Sequence, residues 1–160
     1  MGWLISDDTA RAMYRGGRAN PTARRLSRLW AAAFAAGLLP GRGVTLEVPG
    51  RRSGRTTSFP LVTVQVSGQW YLVSMLGEDC HWVRNVRAAG GRVILRRRAR
   101  RVACRLVEVP VEDRAPILRR YVAQAPGGRP HIPVDRHAPV SAFAAVAAAY
   151  PVFRIDRVTS

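Results

Sequence analysis

Residues 44–66, with the sequence VTLEVPGRRSGRTTSFPLVTVQV, decide the fold of this chain. On either side of a central loop, apolar residues occupy every second position, from Val44 to Val48 and again from Val62 to Val66. A period of two is typical of strands that bury one face, and the glycines between them favour a tight connection. The stretch therefore predicts two antiparallel strands joined by a short loop.

The loop between these strands runs from Gly50 to Arg55 and also contains Arg51, Arg52 and Gly54. Glycine permits backbone angles at which successive N–H groups point into one concavity, and such a nest attracts anions. The planar guanidinium group of arginine suits phosphate and carboxylate groups. These residues predict a loop that binds an anion, while an ordinary basic hairpin turn is the alternative that the same residues allow.

The period-two pattern recurs further along the chain, where Ser67 and Gly68 form a predicted tight turn before an apolar run. Further strands are predicted over 70–75, 93–96, 101–109 and 152–158. Helices are predicted from Glu78 to about Ala89, from about Asp113 onward, and in an alanine-rich segment before the last strand. The second of these helices carries Ile117, Leu118, Tyr121 and Val122 on one face. Antiparallel strands interrupted by single helices predict a mainly β fold with flanking helices (α+β), a small barrel with the helices packed outside it.

The chain is long enough for one domain with a real core, in which residues 1–40 form a helical segment and residues 41–160 form the barrel. Asn20 and Pro21 supply an N-cap and a first helical residue, and apolar residues at helical spacing follow over 21–39. Three arginines lie beside this apolar stripe. The helix therefore either covers the barrel core or rests on an anionic membrane surface.

The formal net charge is +16, and all 26 basic residues are arginine. An alanine- and arginine-rich composition is typical of a GC-rich genome, actinobacterial in character, so the charge alone does not indicate a function. Interleaved arginine and aromatic residues make nucleic-acid binding one alternative. The aromatic residues fall at core spacings and no recognition motif is present, so a nucleic-acid partner is not expected.

The cysteines, the histidines and the N-terminal segment indicate whether to expect a metal site and where in the cell to expect the protein. Cys80 and Cys104 stand at neither metal-type nor redox-type spacing, and none of the three histidines is spaced as a ligand pair on a helix. No metal site is therefore expected. The N-terminus lacks a basic region followed by a small-residue cleavage site, so a cytoplasmic location is expected, with the inner face of the cell membrane as the alternative.

The residues contain no self-sufficient catalytic motif of the hydrolase, zinc-protease or nucleotide-binding types. An anion-binding loop without protein nucleophiles favours reactivity that comes from a bound cofactor. Trp82 and Asn85 share one helix face, where they are either a core anchor and a loop cap or the wall and polar contact of a flat ligand. Cys80, near the start of that helix, is interpreted as a small buried residue.

At the level of motifs, the chain resembles the deazaflavin (coenzyme F420)-dependent nitroreductase family of split β-barrel, FMN-binding-protein-like oxidoreductases. The similarity is close over 44–109 and looser through 150–154. The matching segments are LEV at 46–48, GRRSGR at 50–55, FPL at 59–61, YLVS at 71–74, Gly77, and WVRNVRA at 82–88.

The resemblance implies that the arginine loop holds the phosphate- and glutamate-bearing tail of the deazaflavin, through Arg51, Arg52, Ser53, Gly54 and Arg55. It implies that a second set of residues lines the rest of the cofactor groove. That set is Ser58, Phe59, Pro60, Leu61, Ser74, Met75, Leu76, Gly77, Trp82, Asn85, Val86 and Ala88.

The chain departs from the family pattern at Thr57, where many members carry a basic residue, and at Leu76, where many carry lysine. The tyrosines that shape the acceptor pocket in the family have no secure match, and the candidates are Tyr14, Tyr121 and Tyr150. The proton donor and the catalytic residues are therefore left unassigned.

The implied function is transfer of a hydride from reduced F420 to a small electron-poor acceptor, which is a quinone, an enone or a nitroaromatic. The alternatives are an FMN-binding split-barrel oxidoreductase, a non-catalytic protein that binds a cofactor or lipid, and a basic nucleic-acid-binding protein. A homodimer and peripheral membrane contact through the 21–39 helix are further expectations.

Overall fold

The computed structural model describes residues 43–124 and 131–158. Its strands are β1 (Gly43–Pro49), β2 (Thr56–Val66), β3 (Gln69–Val73), β4 (Arg92–Arg97), β5 (Arg100–Glu108) and β6 (Val152–Arg157). Its α-helices are α1 (His81–Ala88), α2 (Ala115–Gln124) and α3 (Val140–Ala144), with short 3-10 helices at Val111–Asp113 and Ala147–Ala149. The strands pair in the order β1-β2-β3-β6-β5-β4, every pair is antiparallel, and β4 returns to β1. The predicted fold class, a mainly β split barrel with flanking helices, is confirmed.

The interior of the barrel is filled by alternate side chains of the strands. Leu46 on β1 lies opposite Phe59 on β2 and Leu95 on β4, and all three belong to or pack against one apolar cluster. Helix α1 adds Trp82 and Val83 to this cluster, both almost fully buried. A six-stranded barrel has a narrow interior, so α1 completes the core that the strands begin.

A second apolar cluster lies on the outer face of β2, β3 and β6. There Val64, Val73 and Val152 are buried beneath the helices of the 109–151 connection. Helix α2 contributes the four residues that the sequence pattern placed on one face, all buried: Ile117, Leu118, Tyr121 and Val122. The predicted amphipathic helix is confirmed, and it begins at Ala115.

The predicted start of the helix that follows Gly77 is wrong. Glu78 and Asp79 precede α1, whose first turn contains no acidic residue, and Cys80 is its N-cap. Both carboxylates instead form ion pairs with later arginines, Asp79 with Arg84 at 2.6 Å and Glu78 with Arg87 at 2.7 Å. The hydrogen bond from Arg87 holds the pKa of Glu78 below its usual value. Side-chain pairing thus replaces the expected interaction with the helix dipole.

The strand directions give the barrel two different ends. The long connections all lie at one end, which we call the loop end: residues 50–55, 74–91 and 109–151. The other end, which we call the hairpin end, contains the start of β1, the end of β6 and two tight turns. Ser67 and Gly68 form one of these turns, both with positive φ, which confirms the predicted hairpin.

Arg114 links the two ends of the 109–151 connection to each other and to the last residue of β5. Its buried guanidinium donates hydrogen bonds to the carbonyl oxygens of Val109 at 2.9 Å, Ala147 at 3.1 Å and Tyr150 at 3.4 Å. It also pairs with a carboxylate oxygen of Glu108 at 3.2 Å. Sequence reasoning did not single out this residue, because a lone arginine in an arginine-rich chain gives no signal of burial.

Several predictions lie outside the described residues. They are the helix over 21–39, its contact with the core or a membrane, and the candidate Tyr14. Within residues 43–124 and 131–158, no helix is long and apolar enough to cross a membrane.

We expect Arg114→Ala to lower the free energy of unfolding by about 3–5 kcal/mol, because it removes a buried charged donor from three carbonyl groups and from the Glu108 carboxylate, which keeps Arg87. Arg114→Lys keeps the charge but not the planar guanidinium group with its several donors. It should therefore lower the free energy of unfolding by less than Arg114→Ala does. Urea denaturation measures both. Arg119→Ala on the exposed face of α2 is the control and should change stability by no more than about 0.5 kcal/mol. Equal losses at positions 114 and 119 would contradict the role given to Arg114.

Candidate functional site

The loop at 50–55 is closed by hydrogen bonds of its own backbone. Gly50 N–H donates to the carbonyl oxygen of Arg55 at 2.8 Å, and Gly54 N–H donates to the carbonyl oxygen of Gly50 at 2.9 Å. The N–H group of Arg55 donates to Ser53 Oγ at 3.2 Å. These N–H groups are used inside the loop, so the predicted nest of outward-pointing amides does not form at Gly50, Gly54 or Arg55. The guanidinium groups are donors that this loop can offer to an anion.

The loop fits closely around Gly50. A Cβ atom at this position would lie 2.9 Å from Ser53 Oγ and 3.4 Å from the carbonyl oxygen of Arg55. The first distance is shorter than real Cβ contacts, so a side chain at Gly50 would displace the Ser53 hydroxyl, which accepts a hydrogen bond from the Arg55 N–H group. Gly54 has a φ of +71°, a conformation that glycine adopts without strain.

Asn85 on α1 anchors the loop to the barrel. Its Oδ1 atom accepts a hydrogen bond from the backbone N–H of Arg51 at 3.2 Å and another from Arg51 Nη1 at 2.9 Å. The same Nη1 atom lies 3.5 Å from Nδ1 of His81. Asn85 is buried, so its amide is committed to this contact. Of the two roles that sequence analysis left open for Asn85, this geometry is closer to the loop cap, although the group it holds is an N–H donor rather than a carbonyl.

Thr57 extends this network to β1. Its hydroxyl donates to the carbonyl oxygen of Val48 at 2.7 Å and accepts from Asn85 Nδ2 at 3.4 Å. The position at which many family members carry a basic residue is therefore used here to fix Asn85. The signal that could have identified this role is the position of Thr57 directly opposite Val48 in the first hairpin.

The outward face of the loop is polar and positively charged. Arg52, Ser53, Arg55 and Ser58 are exposed, whereas Arg51 is half-buried. Phe59 and Leu61 on β2 are half-buried and pack against the interior cluster. The guanidinium groups of the loop are therefore followed along the chain by the apolar side chains of Phe59 and Leu61, which we call the apolar wall.

The bend at 74–77 is a tight turn between the two apolar clusters. Ser74 is buried, and its hydroxyl donates to the carbonyl oxygen of Gly77 at 2.8 Å. Leu76 packs against the interior cluster, while Met75 packs against the outer one. Gly77 has a φ of +88°, and a Cβ there would lie 3.2 Å from the carbonyl oxygen of Ala149.

The remaining predicted groove residues lie along α1. Trp82 packs against Phe153 with ring centroids 5.5 Å apart, and both Trp82 and Val86 are buried in the interior cluster. Ala88 is exposed. Trp82 therefore has the position of a core anchor.

Cys80, the N-cap of α1, is buried, and burial raises the pKa of its thiol above the usual value, which confirms the interpretation as a small core residue.

The acceptor candidates lie apart from the arginine loop. Tyr121 is buried in the outer cluster, and burial raises the pKa of its hydroxyl. Tyr150 packs against the same cluster, its hydroxyl donates to the carbonyl oxygen of His131 at 2.8 Å, and burial raises its pKa as well. The structure brings these two tyrosines together with Met75, while Phe59, Leu61, Leu76, Trp82 and Val86 share the interior cluster.

The histidines of the loop after α2 form no catalytic arrangement with the arginine loop. The backbone N–H of His137 donates to a carboxylate oxygen of Asp135 at 2.7 Å, and its ring accepts from Arg136 at 3.1 Å. Across residues 43–124 and 131–158, no three histidine, cysteine, aspartate or glutamate side chains come together as a metal-binding group.

An antiparallel barrel of this topology with helices packed outside it defines the class of split-barrel proteins. The family model described as F420H(2)-dependent quinone reductase matches residues 22–143. The chain belongs to the F420H(2)-dependent quinone reductase family. No curated protein matches the chain.

Solved structures show the same fold at low sequence identity. One, described as a domain-swapped dimer, is 18% identical, with 84% of this chain and 96% of that chain covered and a TM-score of 0.52. A protein of unknown function from Agrobacterium tumefaciens is 12% identical over 82% of this chain and 53% of that chain, with a TM-score of 0.50. An F420-H2 dependent reductase is 21% identical over 74% of this chain and 96% of that chain, with a TM-score of 0.49.

We expect Asn85→Leu to release the arginine loop, because both donors of Arg51 lose their acceptor. The free energy of unfolding should fall by roughly 1–3 kcal/mol, and the Arg51 amide should exchange its hydrogen faster. Urea denaturation and hydrogen exchange measure the two effects. Asn85→Asp keeps the acceptor and should retain most of the protection at Arg51. Unchanged exchange at Arg51 in the leucine variant would show that Asn85 does not anchor the loop.

Proposed function

We propose that this protein is an F420H2-dependent oxidoreductase that reduces a small electron-poor acceptor, with a quinone as the first choice and an enone or nitroaromatic as further members of the class. The observation that carries the proposal is the exposed arginine loop, anchored to α1 through Asn85, in a chain that belongs to the F420H(2)-dependent quinone reductase family. The family membership supports F420 as the cofactor, and the arginine loop supports the proposal that its anionic tail is bound by guanidinium groups.

The donor set of the loop fits the anionic tail of a deazaflavin cofactor. Arg52 and Arg55 are exposed on the outward face, and Ser53 and Ser58 stand beside them as neutral hydrogen-bonding groups. Guanidinium groups bind phosphate and carboxylate through paired hydrogen bonds. Arg51 has a supporting part in this proposal, because its guanidinium is already bonded to Asn85.

The apolar residues that follow the loop suit the ring of the cofactor. Phe59 and Leu61 provide a half-buried apolar wall, and the bend at 74–77 supplies backbone groups held by the Ser74 side chain. When bound in reduced form, the deazaflavin supplies a hydride for transfer to the acceptor. The protein's own contribution is to orient the ring and to exclude water from its face.

The described site supports catalysis by positioning rather than by a protein nucleophile. Cys80 is buried with a raised thiol pKa, so it is neither accessible nor activated. Hydrogen-bond donors aimed at the acceptor oxygen would stabilise the negative charge that develops there. Of the two described tyrosines, Tyr150 is the better candidate for this role, because it is half-buried whereas Tyr121 is buried. Its hydroxyl would have to leave the carbonyl oxygen of His131, to which it donates in this structure.

Titration of the purified protein with F420, followed by the fluorescence of the cofactor, tests the proposal. We expect saturable binding at micromolar concentration, and Arg52→Gln/Arg55→Gln should weaken it by more than about a hundredfold, because each charged hydrogen bond contributes about 1.5–3 kcal/mol. Arg119→Gln/Arg120→Gln on α2 removes the same charge away from the loop and should leave the affinity unchanged. Absence of saturable binding would refute the proposal, and tight binding of FMN instead would make this an FMN protein.

Oxidation of reduced F420 by a panel of quinones, enones and nitroaromatics then defines the acceptor. We expect turnover with at least one quinone. A protein that binds F420 normally but oxidises it with no acceptor would be a non-catalytic carrier.

We also propose that the chain forms a homodimer, supported by the solved structure described as a domain-swapped dimer, which has a TM-score of 0.52. Light scattering during gel filtration measures the mass in solution. A mass near twice 17.6 kDa is expected, and a monomer at every concentration tested would exclude the dimer.

A further inference from the structure

The β4–β5 hairpin carries an unusual density of positive charge at the end of the barrel opposite the arginine loop. Residues 96–101 contain five arginines and no acidic residue. In the register of the hairpin, Arg97 lies opposite Arg100, and Arg96 lies opposite Arg101. Like charges that face each other across two strands oppose the pairing. The hairpin therefore holds charge at a cost to its own stability.

The facing pair Arg96 and Arg101 is neutralised by a carboxylate of the barrel. Glu47 on β1 lies 3.0 Å from Arg101 Nη2 and 3.3 Å from Arg96 Nε, and its side chain is largely buried. At the tip, Arg98 and Arg100 are exposed and form no ion pair with any carboxylate of residues 43–124 and 131–158. Elsewhere Arg84, Arg87, Arg114 and Arg154 all pair with acidic side chains.

The backbone at the tip is strained at an arginine. Arg98 has a φ of +55°, in the left-handed region that glycine or asparagine occupies more readily. A glycine would fit the turn with less strain, yet the position carries an exposed charge. Backbone strain of this kind is found at binding sites as well as in turns such as the one at Ser67, where φ is +52°.

Apolar groups accompany these arginines at the hairpin end. Val158, which follows β6 and whose N–H donates to the carbonyl oxygen of Ala103, is 57% exposed. Trp70, near the start of β3, is half-buried at the same end of the barrel. Arginine, tryptophan and an exposed aliphatic side chain together are typical of a surface that meets the head groups of a lipid bilayer.

From these observations we propose that the hairpin end, defined by Arg98, Arg100, Trp70 and Val158, docks on a membrane rich in anionic phospholipid. Its arginines bind lipid phosphates, and the tryptophan and valine enter the head-group layer. The loop end of the barrel then faces away from the lipid. This surface is separate from the proposed cofactor loop, so the inference does not depend on the cofactor.

Sedimentation of the full chain with vesicles at low salt tests this docking. We expect binding to vesicles of equal parts phosphatidylcholine and phosphatidylglycerol, and no binding to phosphatidylcholine alone. Arg98→Gln/Arg100→Gln should lower the binding constant about twenty-five-fold, since each surface arginine contributes about fivefold. Arg119→Gln/Arg120→Gln removes the same charge from the exposed face of α2 and should leave binding unchanged. Both variants keep residues 1–42 intact, so any contribution of that segment is common to both.

Arg98→Gly separates binding from folding. It removes one charge and relieves the strained turn, so vesicle binding should fall about fivefold while the melting temperature stays the same or rises. The proposal is overturned if the chain does not bind anionic vesicles, if it binds neutral vesicles equally, or if the two double variants lose binding equally. It is also overturned if the hairpin variant loses affinity for duplex DNA and keeps its affinity for vesicles.

Discussion

Closure of the barrel through β1 is the constraint on which the rest of this structure depends. β1 pairs with β2 on one side and with β4 on the other, so its interior side chains must fit both neighbours at once. Leu46 is fully buried between Phe59 and Leu95 as a result. Closure also leaves no free sheet edge among the described strands. Their backbone N–H and carbonyl groups are therefore not available for pairing with a strand of another molecule.

Helix α1 both fills the interior of the barrel and supports the candidate site. The face of α1 that carries Trp82 and Val86 enters the interior cluster, and Asn85 from the same helix reaches the arginine loop. Apolar packing therefore fixes the position of α1, and hydrogen bonds from Arg51 to Asn85 fix the arginine loop to α1. Thr57 ties the loop's far side back to β1, so the outward arginines stand on a rigid base.

The chain uses its excess of arginine in two ways, in ion pairs and as exposed charges. At the loop end, Arg87 and Arg114 share the carboxylate of Glu108, which binds the long connection to the barrel wall. At the hairpin end, Arg98 and Arg100 stand without a carboxylate from the described residues. Composition alone does not distinguish these uses, because both groups are the same residue type in a chain with a net charge of +16.

The sequence by itself determined the strands, the Ser67–Gly68 turn and the apolar face of α2, because periodicity and turn chemistry are local properties. It also indicated the arginine loop and, by resemblance, the family. Only the tertiary structure decided that Asn85 holds Arg51, that Arg114 is buried and that Tyr121 lies in the outer cluster. Each of these depends on a partner distant in the chain, which the barrel brings near and which no spacing along the sequence reveals.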